Sequence, residues 1–107
     1  MRFYRTRSGG EPVRQWLKTL PLSDRRIIGL DFDRVQAKWP IGMPLCRSLG
    51  GGLSELRLNL PSNRTARVLF FVYGGRIGVV HGFIKKTQKI PTEDLDLARA
   101  RMKEMLQ

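Results

Sequence analysis

Three short runs packed between residues 52 and 91 constrain this chain more than anything else in it. Residues 53–60, 65–73 and 76–84 each read as a strand. Pro61-Ser62-Asn63 separates the first two, and Gly74-Gly75 separates the second and third. Short apolar runs parted by Gly-Gly are a hairpin signal. The first run alternates, with Leu56, Leu58 and Leu60 on one face and Glu55, Arg57 and Asn59 on the other, because successive strand side chains point to opposite sides. The sheet is therefore expected to bury one face and to offer the other, with its charges, to solvent or a ligand. In the second run Arg67 stands among apolar residues on both parities. A charge there is costly unless something anionic is near. A basic run, Lys85-Lys86-Thr87-Gln88-Lys89, follows the third strand directly.

The rest of the chain reads as support. Residues 1–6 form a weak strand through Phe3 and Tyr4, broken by Ser8-Gly9-Gly10. Pro12 suits a first helical turn, and Val13, Trp16, Leu17 and Leu20 then recur at helical spacing. A second helix is predicted over 24–39, capped by Ser23 or Asp24, with Ile28, Phe32, Val35 and Trp39 on one face. The two should pack on the sheet as an αα-hairpin. Residues 41–52 read as a connection containing Arg47. Its Gly50-Gly51-Gly52 is not a phosphate loop, since no Gly-Lys-Ser/Thr follows and a strand comes next. After Pro91, Thr92 is the expected cap of a last helix, with Glu93, Asp94 and Asp96 where the helix dipole favours them. Leu95, Ala98, Met102 and Met105 make its docking stripe. The expected fold is α+β: an N-terminal strand, a two-helix hairpin, a three-stranded antiparallel meander and a C-terminal helix, in one domain spanning 1–107.

The formal charge of +11 points to a polyanionic partner, nucleic acid before membrane. No apolar run approaches the roughly 20 residues of a bilayer span. The charged N-terminus lacks the apolar segment of a secretory signal, and the single Cys46 suits a reducing cytoplasm. One cysteine and one histidine, His81, do not make a zinc site. The nine acidic residues are too scattered for a two-metal nuclease. A serine triad has no recognisable elbow.

What remains is a cationic site. Cleavage of RNA by its own 2′-hydroxyl needs a proton acceptor, positive charge on the transition state and a proton for the leaving 5′-oxygen. Arginines stabilise charge but exchange protons poorly. A lysine crowded by cations has its pKa lowered, and Lys85, Lys86 and Lys89 sit in such a crowd. Glu55 and His81 are the other proton-transfer candidates. Each residue also has a structural reading. Arg67 can be a buried partner of Glu55, and Glu55 can orient an arginine. Arg57 can sit on a solvated face, His81 at the rim of the core, and Phe83 in the core or against a base.

Gly52-Leu53-Ser54-Glu55-Leu56-Arg57, then Arg67-Val68-Leu69-Phe70, then residues 81–91 with Phe83-x-Lys85-Lys86-Thr87-x-Lys89-x-Pro91, then Ala98 with Arg101, resemble the HigB-type toxins of the RelE superfamily. The resemblance runs through almost the whole chain in order, and the lysine segment is its most specific part. It implies a compact RelE-like domain with a basic cleft that binds the ribosomal A site and cleaves mRNA there, with no metal or other cofactor. It also implies a cytoplasmic protein neutralised by a cognate helix-turn-helix antitoxin, with operator DNA met only through that complex. Arg57 and Arg67 would hold the scissile phosphate. Lys85, Lys86 and Lys89 would hold the backbone or transfer protons. Glu55, His81, Phe83 and Arg47 would line the cleft. Two other classes fit the charge: a non-catalytic module that blocks the ribosome by occupancy, and a DNA-binding repressor built on the two-helix segment.

Overall fold

The turns set the sheet. Gly74 and Gly75 both adopt positive φ, 58° and 75°, the conformation of the tight hairpin turn that matches strand twist. They join strands that pair from Tyr73↔Arg76 to Ala66↔Ile84. At the other end, Ser62 and Asn63 take positive φ, and the preceding strand pairs from Leu60↔Arg64 to Leu53↔Phe71. The computed structural model describes residues 1–40, 45–85 and 89–107. Within these the order is β1 (Arg2–Phe3), α1 (Pro12–Lys18), α2 (Leu22–Lys38), β2 (Cys46–Gly50), β3 (Leu53–Leu60), β4 (Arg64–Tyr73), β5 (Arg76–Ile84) and α3 (Thr92–Met105).

The meander and the flanking helices are where the sequence puts them, in an α+β arrangement, but the sheet is larger than expected. It has five strands in the order β1-β5-β4-β3-β2. β1 joins β5 in parallel, and the other pairs are antiparallel. The strand missed is β2. Its segment reads as a connection because glycine and proline surround it, yet Cys46, Arg47 and Ser48 pair with Leu56, Glu55 and Ser54. The caps also differ. Pro21 and Pro91 occupy the positions before α2 and α3 with no side-chain cap, so Thr92 begins its helix rather than capping it. Asp24 lies inside α2, fully buried, with both oxygens on Arg64 at 2.7 and 3.0 Å. That pair ties α2 to the start of β4.

Both sheet faces carry helices. Leu56, Leu58, Val68, Phe70 and Val79 pack with Val13 of α1 and Ile28, Phe32 and Val35 of α2. Burying side chains of this size stabilises by about 1.5–3 kcal/mol each. The apolar sides of α1 and α2 are thus turned to the sheet, and Arg14, Lys18, Arg25, Arg26, Arg34 and Lys38 remain exposed. On the opposite face Leu53, Leu69, Phe71 and Val80 pack with Ala98 of α3. Because α3 covers only that half, the charged face expected to be open is open only at the end nearer the β3–β4 turn. Among the described residues, no helix is long and apolar enough to cross a membrane.

Candidate nucleic-acid interface

Strand register assembles the uncovered half-face. Arg47 pairs with Glu55, Arg57 with Arg67, Asn59 with Thr65, and Arg67 with Phe83. Paired residues project to the same side, so all of these share the α3 face. β5 reaches that face through a bulge. Leu69 pairs with His81 and the next residue, Phe70, with Val79, which leaves Val80 as the extra residue. An inserted residue shifts side-chain parity. Val79 therefore packs toward α1 and α2, while Val80 and Phe83 pack toward α3, with His81 on the same side.

The floor of the site is a buried ion pair. Glu55 has no exposed surface and Arg67 is 2 % exposed. Arg67 Nη1 donates to Glu55 Oε2 at 3.1 Å. Arg47, half exposed, holds its Nε 3.5 Å from Oε1 of the same carboxylate. Arg67 thus forms the buried pair that its apolar strand requires, and Glu55 offsets much of its charge, so that it acts near the cleft as half of an ion pair rather than as an exposed guanidinium. Beside Arg67 stands Arg57, directly opposite on β3. Glu55 offsets the like-charge repulsion between the two arginines, and Arg57 is the guanidinium that lines the cleft.

Arg57, Asn59, Thr65 and Lys85 line an open cleft of about 180 Å³. Lys85 is fixed at its backbone, where its N–H donates to the Thr65 carbonyl at 2.7 Å. Its ammonium pKa is lowered, first by partial desolvation, then by the Arg67 and Arg57 cations, with Glu55 acting in the opposite sense. A lysine with a lowered pKa has a larger neutral, proton-accepting fraction near neutrality.

His81 sits at the boundary between cleft and helix. Its Nε2 is 2.6 Å from Asp94 Oδ1 in the first turn of α3, and its ring lies 5.5 Å from that of Phe83. Lys89 is exposed. Lys86 lies outside the described residues, with Thr87 and Gln88. Register thus brings Arg47, Glu55, Arg57, Arg67, Phe83 and His81 together with Lys85. The sequence places Asn59 on the charged face but gives neither it nor Thr65 nor Asp94 a site role. Asn59 and Thr65 follow from counting pairs back from the Pro61-Ser62-Asn63 turn. Asp94 reads from sequence only as a dipole residue. No group of three His, Cys, Asp or Glu placed to hold a metal occurs among the described residues.

A family profile described as "Phage derived protein Gp49-like (DUF891)" matches residues 15–103. The chain belongs to this Gp49-like family. Gp49-like proteins are a toxin-like family related to the RelE- and HigB-type addiction toxins. Membership implies a toxin–antitoxin role with a cognate antitoxin as partner. The matched span of this Gp49-like chain contains every residue of the cleft, from Arg47 to Asp94, and leaves out β1. No curated protein matches the chain in sequence.

Proposed function

We propose that this Gp49-like protein is the HigB-type toxin of a type II toxin–antitoxin pair, and that it cleaves translated mRNA in the ribosomal A site. The observation that carries the reading is Lys85, which lines an open cleft with Arg57, its pKa lowered by partial desolvation and by the nearby Arg67 and Arg57. A phosphodiester seated there meets the Arg57 charge, with the Arg67–Glu55 pair close by, and a lysine able to take a proton. Lys85 accepts the proton of the 2′-hydroxyl as that oxygen attacks the phosphorus. Arg57 stabilises the charge that builds on the phosphate oxygens, and Arg67, held by Glu55, supports it from the neighbouring strand. The leaving 5′-oxygen takes a proton in turn, with His81, Lys86 and Lys89 as the candidate donors. Asn59 and Thr65 offer neutral hydrogen bonds to the RNA backbone. Phe83 and His81 offer ring faces to a base.

The test is mapping of mRNA 5′-ends in a reconstituted translation reaction, with and without ribosomes. New ends in codon register only with ribosomes present are expected, and Arg57→Ala and Lys85→Ala should abolish them. Ends without ribosomes would mean a free ribonuclease. Inhibited translation with intact mRNA would replace the enzyme by a module acting through occupancy.

A further inference from the structure

The end of the sheet away from the cleft carries a second surface, of different chemistry. From Arg67 to Tyr73 is about 20 Å along β4, at roughly 3.3 Å per residue. There two grooves adjoin, sharing Arg2 and Met105 as lining residues. One, of about 330 Å³, runs over Phe71, Ile77, Met105 and Leu106, with Tyr73 and Arg76 at its side. The other, of about 390 Å³, is framed by Met1, Phe3 and three arginines, Arg2, Arg5 and Arg14. Glu11 also lines it, 3.9 Å from Arg14, and the Arg14 guanidinium lies 5.1 Å from the centre of the Phe3 ring. Tyr73 is 71 % exposed, Met1 49 % and Leu106 46 %. Apolar side chains this exposed, grouped and rimmed by charge, mark an interaction surface. Tyrosine, methionine and arginine are also the residue types enriched where proteins meet.

We propose that this end is a docking surface for an acidic segment of the cognate antitoxin, one that also carries large apolar side chains. The inference rests on the family's toxin–antitoxin role and not on mRNA cleavage. The occupant follows from the chemistry. The apolar floor offers nothing to a phosphodiester backbone but accepts leucine- or phenylalanine-sized groups. Arg2, Arg5, Arg14 and Arg76 around it call for carboxylates, which a segment of a protein supplies together with those apolar groups. The surface shares no lining residue with the cleft. A partner docked here can therefore leave Arg57 and Lys85 uncovered.

The test uses the full chain and its co-encoded antitoxin, with affinity measured by calorimetry. Tyr73→Ala and the double variant Arg2→Glu/Arg76→Glu change exposed side chains, and circular dichroism melts check that each remains folded. At least a tenfold weaker Kd is expected for each, with Arg57→Glu binding as wild type. In cells, Tyr73→Ala should arrest growth as wild type does and escape neutralisation. Wild-type affinity in both surface variants would overturn the proposal, as would lost binding in Arg57→Glu with the surface variants intact. So would RNA displacing the antitoxin from this end. A wild-type chain that binds no antitoxin would remove the partner itself, and with it the family-based reading. Cleavage, read separately on ribosomes, would stand or fall independently.

Discussion

Arg67 and Glu55 stand next to the open cleft, Arg67 directly across from Arg57, so a substitution at either changes stability and chemistry together. Glu55 is fully buried against Arg67, and removing one member of such a pair leaves the other charge uncompensated. Glu55→Gln is therefore expected to lose about 3–5 kcal/mol, read by urea denaturation. The double variant Glu55→Leu/Arg67→Met should recover most of that loss. If the single variant unfolds at the wild-type midpoint, Arg67 is not held by this carboxylate. Arg57 and Lys85, at the cleft itself, are the cleaner probes of activity. Lys85 also makes a pH prediction. Its folded pKa lies below its unfolded value, so the unfolded chain binds more protons and the charge on Lys85 opposes folding. The penalty is full below the folded pKa and fades as pH rises toward about 10.4, the usual lysine value. Lys85→Met should accordingly be slightly more stable than wild type at neutral pH, with the gap closing in the alkaline range. Arg57→Gln should raise the Lys85 pKa, measured by ¹⁵N NMR of the ammonium. An unmoved Lys85 resonance would remove Arg57 from its electrostatic surroundings. The sequence crowds Lys85 with Lys86 and Lys89, whereas the causes found for its lowered pKa are partial desolvation and the cross-strand cations Arg67 and Arg57. The burial of Arg67 is not legible in the sequence, because β4 is apolar on both faces and only cross-strand register shows which carboxylate it meets.

Among the elements, β5 shows how packing overrides a simple alternation. Its bulge at Val80 brings His81 and Phe83 to the α3 face, where uninterrupted alternation from Val79 would send them toward α1 and α2. A periodicity argument has no signal for this inserted residue in Val79-Val80-His81. β2 escapes for the opposite reason. Its alternation is only five residues long, and the neighbouring glycines and prolines dominate the reading. The helices were the most legible parts, because their apolar stripes are long enough to fix the period. Gly82 makes the fit between α1 and β5 testable. A Cβ at that position would stand 2.5 Å from the Trp16 ring, closer than packed atoms tolerate, and overpacking of this kind costs about 1–3 kcal/mol. Gly82→Ala should lower the melting temperature, and Trp16→Leu in the same chain should restore part of the loss. A melting temperature unchanged by Gly82→Ala would mean that α1 shifts freely on the sheet.

Over the whole molecule, α3 decides which part of the charged face meets a ligand. It is fastened across the width of the sheet. His81 meets Asp94 near its start. Arg99 donates to the Leu49 and Gly50 carbonyls at the β2 edge, at 2.8 and 3.0 Å. Arg101 donates to the Val80 carbonyl at 3.0 Å, and the Tyr4 hydroxyl to Glu104 at 2.8 Å. With the helix pinned over Leu53, Leu69 and Phe71, the Arg57–Lys85 end stays open. A net charge of +11 attracts RNA from every direction, whereas this end sets Arg57 and Lys85 around a polar cleft with Asn59 and Thr65. The two contributions separate in salt. Each phosphate neutralised on a single strand adds about −0.7 to the slope of log K against log salt concentration. Arg57→Ala should therefore flatten the slope for single-stranded RNA by roughly that amount. Arg25→Ala and Arg34→Ala, on the exposed side of α2, should lower affinity less and leave the slope nearly unchanged, because charges beyond a Debye length of about 8 Å act weakly at physiological salt. Fluorescence anisotropy between 50 and 200 mM salt, roughly the range over which such slopes are measured, reads both quantities. Equal slope changes at Arg57 and Arg34 would mean that RNA is held by the overall field, with no phosphate seated in the cleft. A change confined to Arg57 would locate one there, beside the lysine proposed to take the 2′-hydroxyl proton.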